Sequence, residues 1–414
     1  MNVLESLHHP EKYFRVLFKW GTLGVLIGLL GGLLGAAFHF CLHFVTQIRR
    51  EAPWVLYLLP LGGLMTIGLY RVTGLRNNRG TNEIISAVLK GETVRSAIGP
   101  VIFLATAITH FFGGSAGREG AALQIGASAA SALGKVVHLK EAEKKLLVMS
   151  GMSAVFAGLF GTPLTATIFT MEFASVGTIF SPALLPCFLS AYTAATLSAS
   201  FGVLPETVVL TQEIATSGIL WLQLLGLGIG VGVLGIGMCL LFHQTEHFAK
   251  KLIKNDWLRI LAGSGLLILM TVLAGNQRYN GAGMEMALLA VDGQAQWYDF
   301  LLKMVFTAVT LAAGCKGGEI VPTFCVGATF GCVFGALLGL DPGFAAALSL
   351  VALFCSVTNS PIAALFLSVE MFGSRYIYPF ALVCVVVFVI SGNWGLYTSQ
   401  EIRFSRARFV KKSH

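Results

Sequence analysis

Charge is what this sequence has least of. Only 12% of its 414 residues are Asp, Glu, Lys or Arg, against roughly 25% in an ordinary soluble domain, so a soluble globule of this size would lack a polar skin. Motifs for catalysis are missing too. There is no His-Glu-x-x-His and no Asp-rich stretch, which argues against an intramembrane protease or lipid transferase and leaves no metal or cofactor to expect. The eight cysteines, at 41, 187, 239, 315, 325, 332, 355 and 384, lie in apolar segments without a Cys-x-x-Cys pair. They read as packing residues, not as a disulfide frame or zinc site. The polar start, Met1 to Glu11, has no short apolar core with a small-residue cleavage site after it, so no signal peptide is expected.

What is abundant is apolar. Hydrophobic residues make up 55% of the chain, and 48 glycines recur inside apolar runs, as in tightly packed membrane helices. Runs able to cross or enter a bilayer are Trp20–Val45, Trp54–Tyr70, Ile98–Gly113, Leu146–Phe173, Ile179–Ser200, Ile219–Phe242, Ile260–Ala274, Trp297–Gly314, Ile320–Leu340, Phe344–Cys355 and Pro379–Ile390. Trp20–Val45 exceeds the ~20 residues that a spanning helix needs and predicts a tilted span. No soluble domain fits between the runs. The net charge, 28 minus 20 or +8, sits at the ends and in short breaks and marks membrane flanks, not a nucleic-acid surface. Lys12, Arg15 and Lys19 at one end, and Arg403, Arg406, Arg408, Lys411 and Lys412 at the other, predict that both termini are cytoplasmic in a multi-pass inner-membrane protein with an even number of crossings. Lys135, Lys140, Lys144, Lys145, Lys250, Lys251 and Lys254 fit cytoplasmic loops.

The chain repeats itself. Gly117-Arg118-Glu119-Gly120 with Gly126-Ala127 matches Gly317-Gly318-Glu319-Ile320 with Gly327-Ala328, at an offset of 200 to 201. Pro163-Leu164-Thr165-Ala166 running to Glu172 matches Pro361-Ile362-Ala363-Ala364 running to Glu370, at an offset of 198. Two related halves, 12–205 and 215–400, are expected within one membrane domain spanning 1–414. If each half crosses an odd number of times, they are inverted, the build of many secondary transporters. Breaks at Gly117–Leu133, Gly317–Gly331, Thr162-Pro163 and Ser360-Pro361 are tolerated in hydrocarbon only where backbone is buried in protein or lines a wet cavity.

Ionisable groups in such runs mark pathways by default, and four acids stand out: Glu119, Glu172, Glu319 and Glu370. Glu119 and Glu319 each stand two residues after a glycine, Gly117 and Gly317, at the expected starts of short helices, where free N–H groups and the dipole favour an anion. A carboxylate tethered there fills the anion site when ionised and vacates it when protonated, coupling proton to anion; the rival reading is a plain helix cap. Glu172 and Glu370 are expected in a salt bridge or a subunit contact. His39, His43 and His110 read as packing histidines before proton relays.

Gly117–Gly120, Gly318-Glu319-Ile320-Val321-Pro322, Phe160–Leu164 and Gly392–Tyr397 together resemble the CLC family of chloride channels and anion/proton antiporters, over essentially the whole chain. The resemblance implies an all-α polytopic fold of inverted repeats with broken and re-entrant helices, and a homodimer with one anion pathway per subunit. By that resemblance Glu119 is the gating and proton-coupling glutamate, the amides of Ile320 and Val321 face the anion, and Tyr397 lines the central site; no appended cytoplasmic regulatory domain is expected.

Departures within the motifs are specific. Chloride-selective members read Gly-Ser-Gly-Ile-Pro where this chain reads Asn78-Arg79-Gly80-Thr81-Asn82. Asn in place of Pro is similar to the fluoride-exporting branch, as are Glu319 in the third motif and Phe173 where many chloride/proton members carry a second glutamate. Val321 differs, being more often Thr in that branch. Fluoride is smaller and more tightly hydrated than chloride, so its site needs stronger or more donors; Asn82 offers an amide, and Thr81 and Tyr397 offer hydroxyls. Glu319 beside an anion requires neutralisation: burial near Glu119 favours the neutral, donating acid, or Lys316 or Arg118 pairs with it. With Arg118, Gly120 and Gly318, these residues are the expected anion site. Fluoride/proton antiport is the first expectation, and chloride/proton exchange or passive chloride flow on the same scaffold the second.

Overall fold

The computed structural model describes residues 10–210 and 217–404, so Arg406, Arg408, Lys411 and Lys412 lie outside it. The first apolar run belongs to one helix, α1 (Pro10–Glu51); at 1.5 Å per residue its 42 residues far exceed a ~30 Å hydrocarbon core. A 3-10 turn (Pro53–Leu58) leads into α2 (Leu59–Val72), then α3 (Thr81–Lys90), α4 (Ile98–Phe111), α5 (Glu119–Val136), α6 (Glu141–Phe160), α7 (Pro163–Glu172) and α8 (Leu184–Ser200). The second half runs α9 (Gly218–Leu252), α10 (Asp256–Ala274), α11 (Met284–Val291), α12 (Asp299–Ala313), α13 (Ile320–Leu337), α14 (Pro342–Thr358), α15 (Pro361–Phe372) and α16 (Ile377–Ile390). Among the described residues the strands amount to one short parallel pair, β1 (Ser175–Val176) with β2 (Glu401–Ile402).

Among the described residues six helices are long and apolar enough to cross a membrane. They divide by what covers them. α10 is mostly unburied by protein, whereas α13 is largely enclosed, and every residue of α14 from Gly343 to Thr358 is buried. A helix apolar on all sides belongs in a protein core or in lipid, and both cases occur here. Close packing depends on small residues, as in other membrane bundles: a Cβ on Gly126 of α5 would lie 2.1 Å from the carbonyl oxygen of Gly151 in α6, and one on Gly151 would lie 2.3 Å from that of Gly126.

Two breaks are built alike. α6 ends at Gly161, in the left-handed region at φ 69°, and α7 starts on Pro163. α14 ends at Asn359, φ 58°, and α15 starts on Pro361. A left-handed cap stops one helix and proline at the first turn starts the next. Asn359 tolerates that conformation and is tied down by Nδ2 donating to the Trp394 carbonyl and to Gln400 Oε1, both at 3.1 Å.

The short helices α7 and α15 pack on each other, and each closes the other's open end. Glu172, at the end of α7, accepts the N–H groups of Ile362 (3.2 Å) and Ala363 (2.9 Å) in the first turn of α15. Glu370 of α15 accepts the N–H groups of Leu164 and Thr165, both at 2.8 Å, in the first turn of α7. Of the two expectations for these acids, a salt bridge or a subunit contact, the salt bridge is absent among the described residues: helix N-termini supply the donors and partial positive charge that a cation would have supplied.

Two further buried charges escaped the sequence reading. Lys303 in α12 is fully buried and donates to Ser115 Oγ (3.0 Å) and to the carbonyls of Tyr279 (3.1 Å) and Gly281 (2.7 Å). Asp299, also in α12 and fully buried, accepts from the Tyr279 hydroxyl at 2.7 Å and pairs with Arg278 at 2.9 Å.

Candidate functional site

Two glycine loops meet at the centre. α4 and α12 each end in a turn that leads to the start of α5 or α13, and the turns cross as an antiparallel bridge. Gly117 N–H donates to the Gly318 carbonyl at 2.6 Å, and Gly318 N–H returns the bond to Gly117 at 2.8 Å. Only glycine permits this approach: a Cβ on Gly117 would lie 2.3 Å from Glu119 Oε2, and one on Gly318 2.7 Å from the Gly120 nitrogen. The loops are also pinned crosswise. Ser115 N–H donates to Thr310 of α12 at 3.1 Å, and Lys316 N–H donates to Thr109 of α4 at 3.1 Å.

Glu119 sits inside this crossing, fully buried. Its Oε2 accepts the Arg118 N–H at 3.1 Å and, from the other loop, the Val321 N–H at 3.2 Å, while Oε1 has no partner among the described residues. The carboxylate thus occupies the Val321 N–H in the first turn of α13, a helix start whose donors and dipole favour negative charge. Arg118 turns away: its guanidinium pairs with Glu206 and lies 4.9 Å from the Phe160 ring centroid. Lys316 lies over the Tyr70 ring at 4.7 Å. Of the ways left open for neutralising Glu319, pairing with either cation is thereby removed.

A vestibule of about 630 Å³ reaches toward the crossing, bordered on its inner wall by Thr81, Asn82, Gln124, Glu319 and Tyr397. Thr81 begins α3 beside Gly120, where an added Cβ would stand 3.0 Å from Thr81 Oγ1. Asn82 Oδ1 accepts the Ser399 N–H at 3.0 Å, which fixes the amide and leaves its N–H₂ as the free donor. The Tyr397 hydroxyl is enclosed and, among the described residues, unpartnered, and its ring meets Phe173 edge-on at 6.2 Å.

Asn78, Arg79 and Gly80 border the same vestibule, but the polar atoms of the first two hold the loop. Asn78 Oδ1 accepts the Gly80 N–H (2.9 Å), Nδ2 donates to Glu83 (2.8 Å), and Arg79 Nη2 reaches Ser86 at 3.4 Å. Gly80, at φ 62°, makes the turn into α3. Glu119, Gly318, Ile320 and Val321 lie behind the vestibule wall, with Ile320 and Val321 buried. Gln124 was missed; an amide five residues past Glu119, in an otherwise small and apolar helix, was the available signal. His110 is buried with Nε2 3.4 Å from the Gly117 carbonyl, a contact behind the loop and in keeping with a packing histidine.

Residues 62–392 match the voltage gated chloride channel family. The chain is 34% identical over 415 residues to a chloride/fluoride channel protein of Pseudomonas syringae pv. tomato, covering 97% of this chain and 91% of that protein. It superposes on the crystal structure of a CLC-type fluoride/proton antiporter with a TM-score of 0.89 at 34% identity, over 93% of this chain and 98% of that one. A slow cyanobacterial Cl⁻/H⁺ antiporter, at 18% identity and a TM-score of 0.73 over 90% of this chain and 94% of that one, shares the fold. With a membrane-type helical fold and the crossed glycine loops already in place, the chain belongs to the voltage-gated chloride channel (CLC) family.

Proposed function

We propose that this protein is a fluoride/proton antiporter that exports fluoride at the expense of an inward proton gradient. The observation that carries the reading is the Glu119 carboxylate lying on the Val321 N–H across the two loops. Ionised, it takes the anion's place; protonated, it loses its hold on those donors and admits the anion, so one group alternates between the two substrates. The likeness to the fluoride/proton antiporter structure supports this, as does the free amide of Asn82 at the vestibule wall, since replacing the hydration of a small hard anion needs strong donors. In this reading Tyr397 and Thr81 add hydroxyls, Ile320 and Val321 add backbone N–H groups, and Glu319 enters as a neutral acid. The halves 12–205 and 215–400 act as inverted repeats, a reading that the mirrored capping of α7 and α15 supports. The protein works as a homodimer in the inner membrane with both termini cytoplasmic, as a secondary transporter and not an enzyme.

The test is flux from liposomes holding the purified protein, followed with fluoride and chloride electrodes and a pH electrode under matched gradients. Fluoride efflux driving proton uptake is the expected result. Chloride moving as fast as fluoride would replace the reading with a chloride/proton exchanger, which the missing hydroxyl at Val321 favours. Anion movement without protons would replace it with a passive pathway.

A further inference from the structure

Gln124 is a buried amide whose structural role is redundant. It is 2% exposed, and its Nε2 donates to the Gly120 carbonyl at 2.9 Å. Within α5 that carbonyl already receives the backbone N–H of Gln124 itself, so the side-chain bond satisfies no orphan group. The bond does fix which way the amide faces, because the reverse orientation would set Oε1 against the Gly120 oxygen. Among the described residues Oε1 is left enclosed and without a partner, which is unfavourable for a buried acceptor. A Leu or Met of similar volume would avoid that cost.

The chemistry of the orphan atom points to its occupant. An amide oxygen only accepts hydrogen bonds, so it repels a bare anion and needs something that carries a proton. Gln124 and Glu319 border the same vestibule. They are also linked through the crossing: Gln124 is anchored on Gly120, and a Cβ on Gly120 would sit 3.4 Å from the Cα of Gly318, the neighbour of Glu319. The Glu319 side chain makes no ion pair among the described residues, its two candidate cations being engaged with Glu206 and Tyr70.

We propose that Gln124 Oε1 is the docking acceptor for the protonated side chain of Glu319: the carboxyl O–H donates to the amide oxygen, which holds the proton-bearing acid away from the anion donors of Asn82 and Tyr397. Gln124 is thereby a residue of proton coupling more than of anion binding. This rests on the exchange reading, and the wild-type protein, measured first, tests that reading alone.

The experiment compares wild type, Gln124→Met and Gln124→Glu in liposomes, reading protons moved per fluoride, with calorimetric titration of fluoride onto each purified protein. Gln124→Met should keep fluoride binding while protons moved per fluoride fall by up to about tenfold, the factor one such hydrogen bond carries. Gln124→Glu keeps an oxygen acceptor and should retain coupling above the Met variant. Retained fluoride binding with no flux in the Met variant also supports the proposal. Unchanged coupling in the Met variant overturns it. So does loss of fluoride binding in the Met variant, which assigns the amide to the ion, or equal loss of coupling in the Glu variant, including through misfolding of both.

Discussion

The Asn82 side-chain oxygen accepts the backbone N–H of Ser399 at 3.0 Å, joining the start of α3 to a segment 317 residues further on that carries Tyr397. One bond therefore settles both the position of the tyrosine segment and the orientation of the amide. Because Oδ1 is engaged, the N–H₂ is what the vestibule receives, and a proline here would give neither the acceptor nor the donor. Asn82→Asp separates the two roles: it preserves the acceptor for Ser399 and replaces the free donor with an oxygen. Its fluoride affinity by calorimetry should fall by more than about tenfold, the factor of one charge-assisted hydrogen bond plus repulsion, with the melting temperature little changed. An Asp variant that binds fluoride like wild type would exclude Asn82 as a donor.

Glu119→Gln keeps the size of the proposed gate and removes its titration. A neutral amide can still accept the Val321 N–H, so the closed arrangement survives, yet it cannot carry a proton. Fluoride-driven proton movement should be abolished; its persistence would take the coupling role away from Glu119.

Gly117→Ala acts on the same carboxylate sterically. The new Cβ would stand 2.3 Å from Glu119 Oε2, a separation that no relaxed structure keeps, so the side chain must leave the Val321 N–H. The expected outcome is an anion leak without stoichiometric proton movement, read as fluoride efflux continuing after the proton gradient has collapsed. A tightly coupled Gly117→Ala protein would mean that the gate does not rest on this contact.

What could be read in the sequence was what repeats and what stands out chemically. The paired Gly-x-Glu motifs at 117–120 and 317–320 pointed to two helix starts facing one place, and the bridge from Gly117 to Gly318 bears that out. The breaks at Pro163 and Pro361 were visible because proline cannot continue a helix. α3 was not visible: ten residues with Asn, Glu, Ser and Lys among them have no membrane signature, and the helix exists because its apolar face from Ile84 to Val88 packs inside the protein. Lys303 and Asp299 were passed over for a related reason. They sit within the apolar run from Trp297, and only the folded chain brings Ser115, Tyr279 and Gly281 to one and Arg278 to the other. Glu172 and Glu370 were read as ion-pair or subunit-contact residues because a sequence displays cations but not helix ends.

The mirrored caps give a stability prediction independent of transport. Glu370 accepts the Leu164 N–H on Oε1 and the Thr165 N–H on Oε2, and Oε2 also accepts the Thr165 hydroxyl at 2.6 Å, whereas Glu172 accepts, among the described residues, two N–H groups. Removing a cap costs about 0.5–2 kcal/mol, and leaving buried N–H groups unpaired adds to it. Glu370→Leu should therefore lower the melting temperature in detergent more than Glu172→Leu, with Glu370→Gln between wild type and Leu because one amide oxygen still accepts. The two Leu substitutions act at opposite ends of one helix pair and share no donor, so their effects should add to within about 0.5 kcal/mol. A double variant no less stable than Glu370→Leu alone would show that α7 and α15 are held as a unit by one end, and that the second cap contributes nothing.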